Sequence, residues 1–251
     1  MANVIKLRKG LDVNLKGKAA KEEFQVKKPA VYALMPDDFT GMKPKVVVKE
    51  NDVVKVGDSL FVDKNHPEIK FVSPVSGRVT MVERGDRRKV LSVRVEADAE
   101  QQYVDFGKKN VGQMTAQEVK DLLLESGLFG FFRQRPYDVT ANPSDTPKAI
   151  FVSAFNSMPL AADFEYVLRG READFQAGLD ALAKMAKTYL GVSSKQTATA
   201  LTAAKNVEIN FFDGPAPAGN VGVQINHISP INKGEVVWTL GAEEVIFIGH
   251  L

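Results

Sequence analysis

The feature that most constrains the fold is a change in apolar rhythm near residue 100. Before it, short runs rich in Val and Phe, such as Lys45–Lys49, Ser59–Asp63 and Lys89–Glu96, alternate with turn residues. After it, helix-length apolar stripes alternate with strand-length apolar runs. Many short strands predict a small all-β barrel or sandwich, and helix–strand alternation predicts a mostly parallel sheet covered by helices. We therefore predict a β-domain over residues 1–100 and a Rossmann-like α/β domain over residues 101–251.

Charge changes at the same place. Residues 1–100 hold 20 Lys/Arg and 15 Asp/Glu, whereas residues 101–251 hold 13 and 16. The net charge is therefore positive in the first part and negative in the second. The polar stretch Ala97–Asn110 lies at the change and is typical of a connection between domains.

Local signals in the second part predict individual elements. Thr115 and Glu118 form a capping box, and Gly127 stands where a left-handed residue would end the helix. Pro159 favours the first turn of another helix, and Glu244–Leu251 resembles a buried strand whose abrupt end suggests a longer protein. Further predicted elements are strand Ala149–Ser153, helix Ala173–Lys187, strand Tyr189–Val192, a helix around Gln196–Lys205 and strand Val207–Phe212.

Composition excludes several classes of site. The chain has no cysteine, so disulfides, thiolate-bound zinc, iron–sulfur clusters and cysteine nucleophiles are excluded. Its three histidines, His66, His227 and His250, lie far apart, which predicts no metal site and no catalytic triad. No apolar run reaches the ~20 residues of a membrane span, and Met1–Gly10 lacks the core of a signal peptide. A net charge of +2 gives no reason to expect nucleic acid as a partner. The missing cysteines, together with the lack of an apparent membrane span or signal peptide, favour a cytoplasmic location.

The segment Asn51–Val79 resembles the biotinyl/lipoyl carrier fold through its V-x-x-G-D and S-P-V-S-G-R-V motifs. In that family a hairpin tip presents a modified lysine, which would place Lys64 at the tip. The methionines that flank the lysine of biotin carriers are missing here. Lys64 is therefore either a solvated turn residue or a lysine that is modified as in the carrier proteins.

The segment Leu122–Tyr137 is similar to the flavin-binding segment of the NADH-oxidising subunit of respiratory complex I. Glu125–Leu128 matches its E-S-G-L motif, which is followed there by a run of glycines that lets backbone N–H groups surround a phosphate. Bulky residues replace most of those glycines in this chain. The resemblance supports the fold but argues against a tight FMN or NADH site.

The replaced loop has its own chemistry. Phe131 and Phe132 next to Arg133 and Arg135 suit a flat apolar ligand with electronegative oxygens, such as a quinone head group. The other reading is that the rings, with Phe129, fill the core or dock a partner while the arginines are solvated. Asn156, in the segment Ser153–Pro159 after a predicted strand, is a further candidate donor at a predicted helix N-terminus.

Taken together, the chain resembles the A-subunit family of the bacterial Na⁺-translocating NADH:quinone oxidoreductases. The collinear matches are Lys9–Asp12, Gly41–Pro44, Gly57-Asp58, Ser73–Arg78, Glu125–Leu128, Phe155–Pro159, Gly219–Pro230 and Ile248–Leu251.

This resemblance implies a carrier-like β-domain followed by a Rossmann-like domain, within a peripheral component on the cytoplasmic side of the bacterial inner membrane. It implies ubiquinone or menaquinone as a substrate, no tightly bound cofactor, no catalytic or metal-ligating residue in this chain, and other subunits, especially membrane-embedded ones, as partners. Quinone reduction in such a complex is driven by NADH and coupled to Na⁺ export. The alternative is an FMN- or NADH-binding electron-transfer protein, related to complex I or to the C subunit of the electron-transport complex.

Overall fold

The computed structural model describes residues 4–17 and 20–251. Backbone contacts group the chain into two compact units. The first unit combines Met1–Phe24, Asn110–Val119 and Thr146–Leu251, and the second combines Gln25–Lys109 and Lys120–Asp145. The units interleave along the sequence, whereas the division into residues 1–100 and 101–251 is sequential, and that division stays a prediction.

The structure consists of short strands in its first part and alternating helices and strands in its second. The strands are β1 (Val4–Lys6), β2 (Val31–Leu34), β3 (Pro44–Val46), β4 (Val53–Val54), β5 (Ser59–Asp63), β6 (Lys70–Val72), β7 (Gly77–Arg84), β8 (Val90–Ala97), β9 (Arg133–Arg135), β10 (Val139–Thr140), β11 (Ile150–Ser153), β12 (Thr188–Ser193), β13 (Glu208–Asp213) and β14 (Val237–Gly241). The helices are α1 (Ala116–Ser126), α2 (Phe164–Val167), α3 (Glu172–Met185), α4 (Thr199–Thr202), α5 (Val221–Ile228) and α6 (Ala242–His250).

The first unit contains a parallel sheet with the strand order β1, β13, β12, β11, β14. Side chains alternate along a strand, so Phe151 and Val152 point to opposite faces of the sheet. Both are buried, which means that both faces are covered. On one face the Phe151 ring stacks on Tyr189 at 4.9 Å, and Ile225 of α5 packs against this pair. This is the helix-covered parallel sheet that the sequence predicts.

The prediction of a strand at Glu244–Leu251 is wrong, because these residues form most of α6. Its apolar residues fit either structure, but Glu243 and Glu244 in the first turn favour a helix through the helix dipole. A small residue also allows close packing on α3: a Cβ on Gly249 would lie 1.7 Å from the Asp174 carbonyl oxygen. Helix packing therefore decides the conformation.

The prediction of a helix starting at Pro159 is also wrong. Leu160 has a left-handed φ of 60°, and α2 begins only after Asp163, whose side chain accepts from the backbone N–H of Glu165. The helix predicted around Gln196–Lys205 is a single turn, α4.

The second unit is built from two antiparallel sheets, one ordered β2, β8, β7, β4 and the other β3, β5, β6. Phe61 and Phe71 form the centre of its core, with ring centroids 5.1 Å apart, and Val79 and Val93 are fully buried with them. Strands β9 and β10 also belong to this unit and pair with each other as an antiparallel hairpin.

None of the helices within residues 4–17 and 20–251 is long and apolar enough to cross a membrane.

Candidate functional site

The candidate site follows helix α1, whose start and end are both encoded locally. The Thr115 N–H donates to the Glu118 carboxylate at 2.8 Å, and the Glu118 N–H donates to the Thr115 hydroxyl at 3.2 Å, which confirms the capping box. Gly127, with a φ of 82°, ends the helix as predicted. A 3₁₀ turn, Leu128–Phe131, then leads directly into β9.

This turn packs closely on the core of the second unit. A Cβ on Gly127 would lie 2.7 Å from Val72 Cγ1, and one on Gly130 would lie 2.9 Å from Phe71 Cε1. Both glycines are therefore needed for close approach to β6. That role differs from the role of glycines that surround a phosphate.

The turn does not fit the phosphate of FMN. The N–H groups of Gly127, Gly130 and Phe132 donate to carbonyls three residues earlier, so they are already used within the turn. A phosphate cradle requires several backbone N–H groups that point at the ligand. The geometry thus argues against the flavin-binding alternative at this segment.

The three phenylalanines of the segment have different environments. Phe129 and Phe132 are fully buried and stack on each other at 5.1 Å. Phe131 is 40% exposed, and its ring lies 6.3 Å from that of Phe39. The sequence predicts that Phe132 faces a ligand, but the structure places it in the core, and only Phe131 presents a ring to the surface.

Arg133 and Arg135 lie on the same side of β9 and share one carboxylate. The Nε of Arg133 donates to Asp138 Oδ1 at 3.2 Å, and the Nε of Arg135 lies 3.4 Å from the same oxygen. Arg133 also donates to the Asp138 carbonyl at 2.9 Å and to the Thr40 hydroxyl at 3.2 Å. Asp138 reaches both arginines from the turn between β9 and β10, where its φ is 55°. Sequence reasoning missed both Asp138 and Thr40.

Arg135 is the group in this cluster with unused hydrogen-bonding capacity. Its side chain is 25% exposed, and its Nε is buried. Its guanidinium makes no hydrogen bond with residues 4–17 or 20–251, only the ion pair with Asp138. Arg135 shares its ion-pair partner, the Asp138 carboxylate, with Arg133. A guanidinium with free N–H groups can bind an anionic or strongly electronegative oxygen.

Asn156 belongs to the first unit and is not grouped with the arginines. It is exposed, and its Oδ1 accepts from the Met158 N–H at 2.9 Å, which fixes a local turn. No helix begins at Pro159, so the predicted anion site at a helix N-terminus in this segment is wrong.

The structure shows a second polar group at the carboxyl end of β11. Gln224, 1% exposed, donates from Nε2 to Ser153 Oγ at 2.9 Å and to the Ala218 carbonyl at 3.2 Å. A Cβ on Gly191 would lie 2.1 Å from Gln224 Oε1, so the bare glycine makes room for the amide. The signal in the sequence was a glutamine on the apolar side of a helix, which sequence reasoning did not use.

Two other candidate residues lie at the surface. His227 is exposed, and its Nδ1 lies 2.8 Å from the Val223 carbonyl one turn earlier in α5. Lys64 is exposed at the tip between β5 and β6, as expected for either reading of that residue.

Glu244 gives a pH-dependent prediction. Burial raises the pKa of its carboxyl above the ordinary value of 4.5, and the neighbouring Glu243 adds to this rise. An acid whose pKa is higher in the folded state favours folding when protonated, so this contribution is lost as pH rises above 4.5. We expect Glu244→Gln to raise the free energy of unfolding by about 1 kcal/mol at pH 8 and by much less at pH 4. Urea unfolding at the two pH values checks this, and equal effects at both would contradict it.

Comparison of the chain with known protein families gives two matches. A family profile described as "NqrA second alpha/beta domain" matches residues 114–251, and one described as "NqrA N-terminal barrel-sandwich hybrid domain" matches residues 5–98. The chain belongs to the NqrA family. The two NqrA domain descriptions also confirm the predicted fold class, a biotinyl/lipoyl-like β-domain followed by an α/β domain.

Curated members of the NqrA family align with nearly the whole chain. Proteins named as the A subunit of "Na(+)-translocating NADH-quinone reductase" from Yersinia pseudotuberculosis serotype O:1b, Pseudomonas aeruginosa strain UCBPP-PA14 and Vibrio vulnificus strain YJ016 are 35%, 34% and 36% identical to it. Each alignment covers 99% of this chain and 56% of the relative. The chain thus spans a little over half the length of these relatives.

Proposed function

We propose that this chain acts within the A subunit of a Na⁺-translocating NADH-quinone reductase, and that it contributes to quinone binding and to assembly of the complex. The names of its relatives support the type of complex. In this proposal the chain is a peripheral component on the cytoplasmic side of the bacterial membrane. Electron transfer from NADH and Na⁺ transport belong to other parts of the complex.

The observation that carries the quinone proposal is the Arg135 guanidinium, which is largely buried and makes no hydrogen bond with residues 4–17 or 20–251. A quinone carbonyl oxygen accepts hydrogen bonds and gains negative charge on reduction. A guanidinium at that oxygen therefore binds the reduced form more strongly than the oxidised form. The Phe131 ring, which is 40% exposed, offers apolar contact to a flat ring.

Asp138 and Thr40 have a supporting role in this proposal. Asp138 holds Arg133 and Arg135 on one side of the hairpin, and the Thr40 hydroxyl fixes Arg133 from another segment of the second unit. The hydrogen bonds of Arg133 are made with Asp138 and Thr40 of the same chain, and Arg135 makes the contact with the ligand. Phe132, which is buried, and Asn156 make no direct ligand contact in this proposal.

The test is Arg135→Gln in the assembled reductase. Loss of a charge-assisted hydrogen bond of about 1.5–3 kcal/mol predicts a KM for a short-chain quinone raised about tenfold or more. Arg135→Lys keeps the charge but not the planar fork and should recover part of the affinity. A photoreactive quinone should label a peptide that contains residues 131–135, and competition by unlabelled quinone should remove the label.

Arg84→Gln is the matched control, because Arg84 is an exposed arginine of the same unit, at the end of β7. It should leave the KM for quinone unchanged. The proposal fails if Arg135→Gln keeps the wild-type KM and the photoreactive quinone labels only other regions.

A further inference from the structure

Positive charge is concentrated at the start of the chain. Residues 1–30 hold eight Lys/Arg and three Asp/Glu, and the other 221 residues hold 25 and 28. The first 30 residues therefore carry a net charge of +5, whereas the remainder carries −3. The function proposed above does not use this asymmetry.

Large apolar side chains are exposed in the same part of the chain. Leu11 is 82% exposed, Val13 60% and Leu15 51%, and Phe24 is 86% exposed. Leu11, Val13 and Leu15 are spaced two residues apart in a segment without helix or sheet hydrogen bonds of its own. Exposure of several neighbouring apolar side chains marks an interaction surface.

Hydrogen bonds and an ion pair fix the segment to the rest of the first unit. The Leu11 N–H donates to the Ala216 carbonyl at 3.0 Å, and the Ala216 N–H donates to Asp12 Oδ1 at 2.8 Å. Further along, Lys21 pairs with Asp163 and holds the pKa of that carboxyl below its ordinary value. Residues 7–17, which we call the strap, are thus attached at their start and continue toward a second attachment.

One further backbone hydrogen bond, from the Leu7 N–H to the Asp213 carbonyl at 2.8 Å, holds the start of the strap. Residues 13–17 make no hydrogen bond with the part of the chain that the structure describes. Arg8, Lys9 and Lys16 form no ion pair within residues 4–17 and 20–251. The strap therefore presents three unneutralised cations and three apolar side chains together.

We propose that the strap binds an anionic lipid surface. Basic residues are attracted to the negative potential of such a surface, and neighbouring apolar side chains can enter its interfacial region. A lipid surface needs no preformed groove, which suits an extended segment whose apolar side chains are exposed rather than arranged around a pocket. Only the start of the chain has a net positive charge that is complementary to an anionic surface, because the rest of the chain is net negative. This inference extends the peripheral location proposed above and does not depend on the quinone contact.

The test is flotation of the 251-residue chain with vesicles of phosphatidylcholine alone or with 30% phosphatidylglycerol. We expect binding to the anionic vesicles only, and weaker binding as salt concentration rises. Each basic residue near an anionic surface contributes about a fivefold change in partitioning. Replacement of Arg8, Lys9 and Lys16 by Glu should therefore reduce binding at least tenfold, and replacement of Leu11, Val13 and Leu15 by Ser should also reduce it.

The matched control changes the same number of charges elsewhere. Arg84, Arg87 and Arg88 lie exposed at the β7–β8 hairpin, and their replacement by Glu should leave vesicle binding within twofold of wild type. Circular dichroism must show that every variant is folded. The inference is overturned if the chain does not float with anionic vesicles, which would favour an acidic protein as the partner, or if the control variant loses as much binding as the strap variant.

Discussion

Gly249→Ala should lower the free energy of unfolding by about 3 kcal/mol or more. A Cβ at this position would lie 1.7 Å from the Asp174 carbonyl oxygen and 2.6 Å from the Gly178 N atom, both on the backbone of α3. Helices α3 and α6 would have to move apart, which would separate apolar surfaces that are closely packed in the native fold. Intrinsic propensity alone predicts the opposite, a gain of about 1 kcal/mol for Ala over Gly in a helix. The sign of the effect therefore decides between packing and propensity.

Chemical unfolding followed by the fluorescence of Trp238 measures this change. Trp238 is the single tryptophan of the chain, and it is buried in β14 of the same unit. Gly112→Ala is the control, because a Cβ there would meet only the Asn110 side chain, at 3.2 Å. It should alter stability by less than about 0.5 kcal/mol. If Gly249→Ala is as stable as wild type, the inference that α3 and α6 pack too closely to accept a Cβ at residue 249 is wrong.

Elements with strong local signals could be predicted from the sequence. The capping box at Thr115 and the left-handed Gly127 bound α1, because hydrogen bonds and backbone sterics within a few residues determine both ends. The strand Ser59–Asp63 has the predicted bounds. These features depend little on distant packing.

The C-terminal helix could not be predicted in the same way. Val, Ile and Phe favour a strand when considered alone, and they make up four of the eight residues of Glu244–Leu251. Its helical conformation depends on Gly178 and Gly249, which allow two distant segments to approach. Packing between segments far apart in sequence thus overrides local preference.

The sequence indicated the segment of the candidate site but not the direction of its side chains. The cluster of aromatic and basic residues indicated this segment as the candidate site, yet it did not show that Phe132 points into the core while Phe131 remains exposed. The direction of each ring depends on the 3₁₀ turn after Gly127, which has no distinct sequence signal. Thr40, 93 residues away from Arg133, comes close only through the fold.

The core beneath the site gives the second large expected effect. Phe71→Ala should lower the free energy of unfolding by about 3–5 kcal/mol. The Phe71 ring is 2% exposed, lies 4.4 Å from Phe39 and 5.1 Å from Phe61 between ring centroids, and supports the turn at Gly130. Its removal leaves a cavity under the turn that leads to the arginines. Thermal and urea unfolding followed by circular dichroism measure the loss.

Phe131→Ala is the matched control, since it removes the same side chain from a 40% exposed position with one ring contact, at 6.3 Å. It should destabilise the fold by about 1 kcal/mol or less, because little apolar surface is buried there. The two variants distinguish a residue that supports the site from one that contacts the ligand. Phe71→Ala should reduce both the stability of the fold and the affinity for quinone. Phe131→Ala should reduce mainly the affinity for quinone. Equal loss of stability in both variants would mean that Phe131 belongs to the core, and the exposed ring would then no longer support a quinone contact.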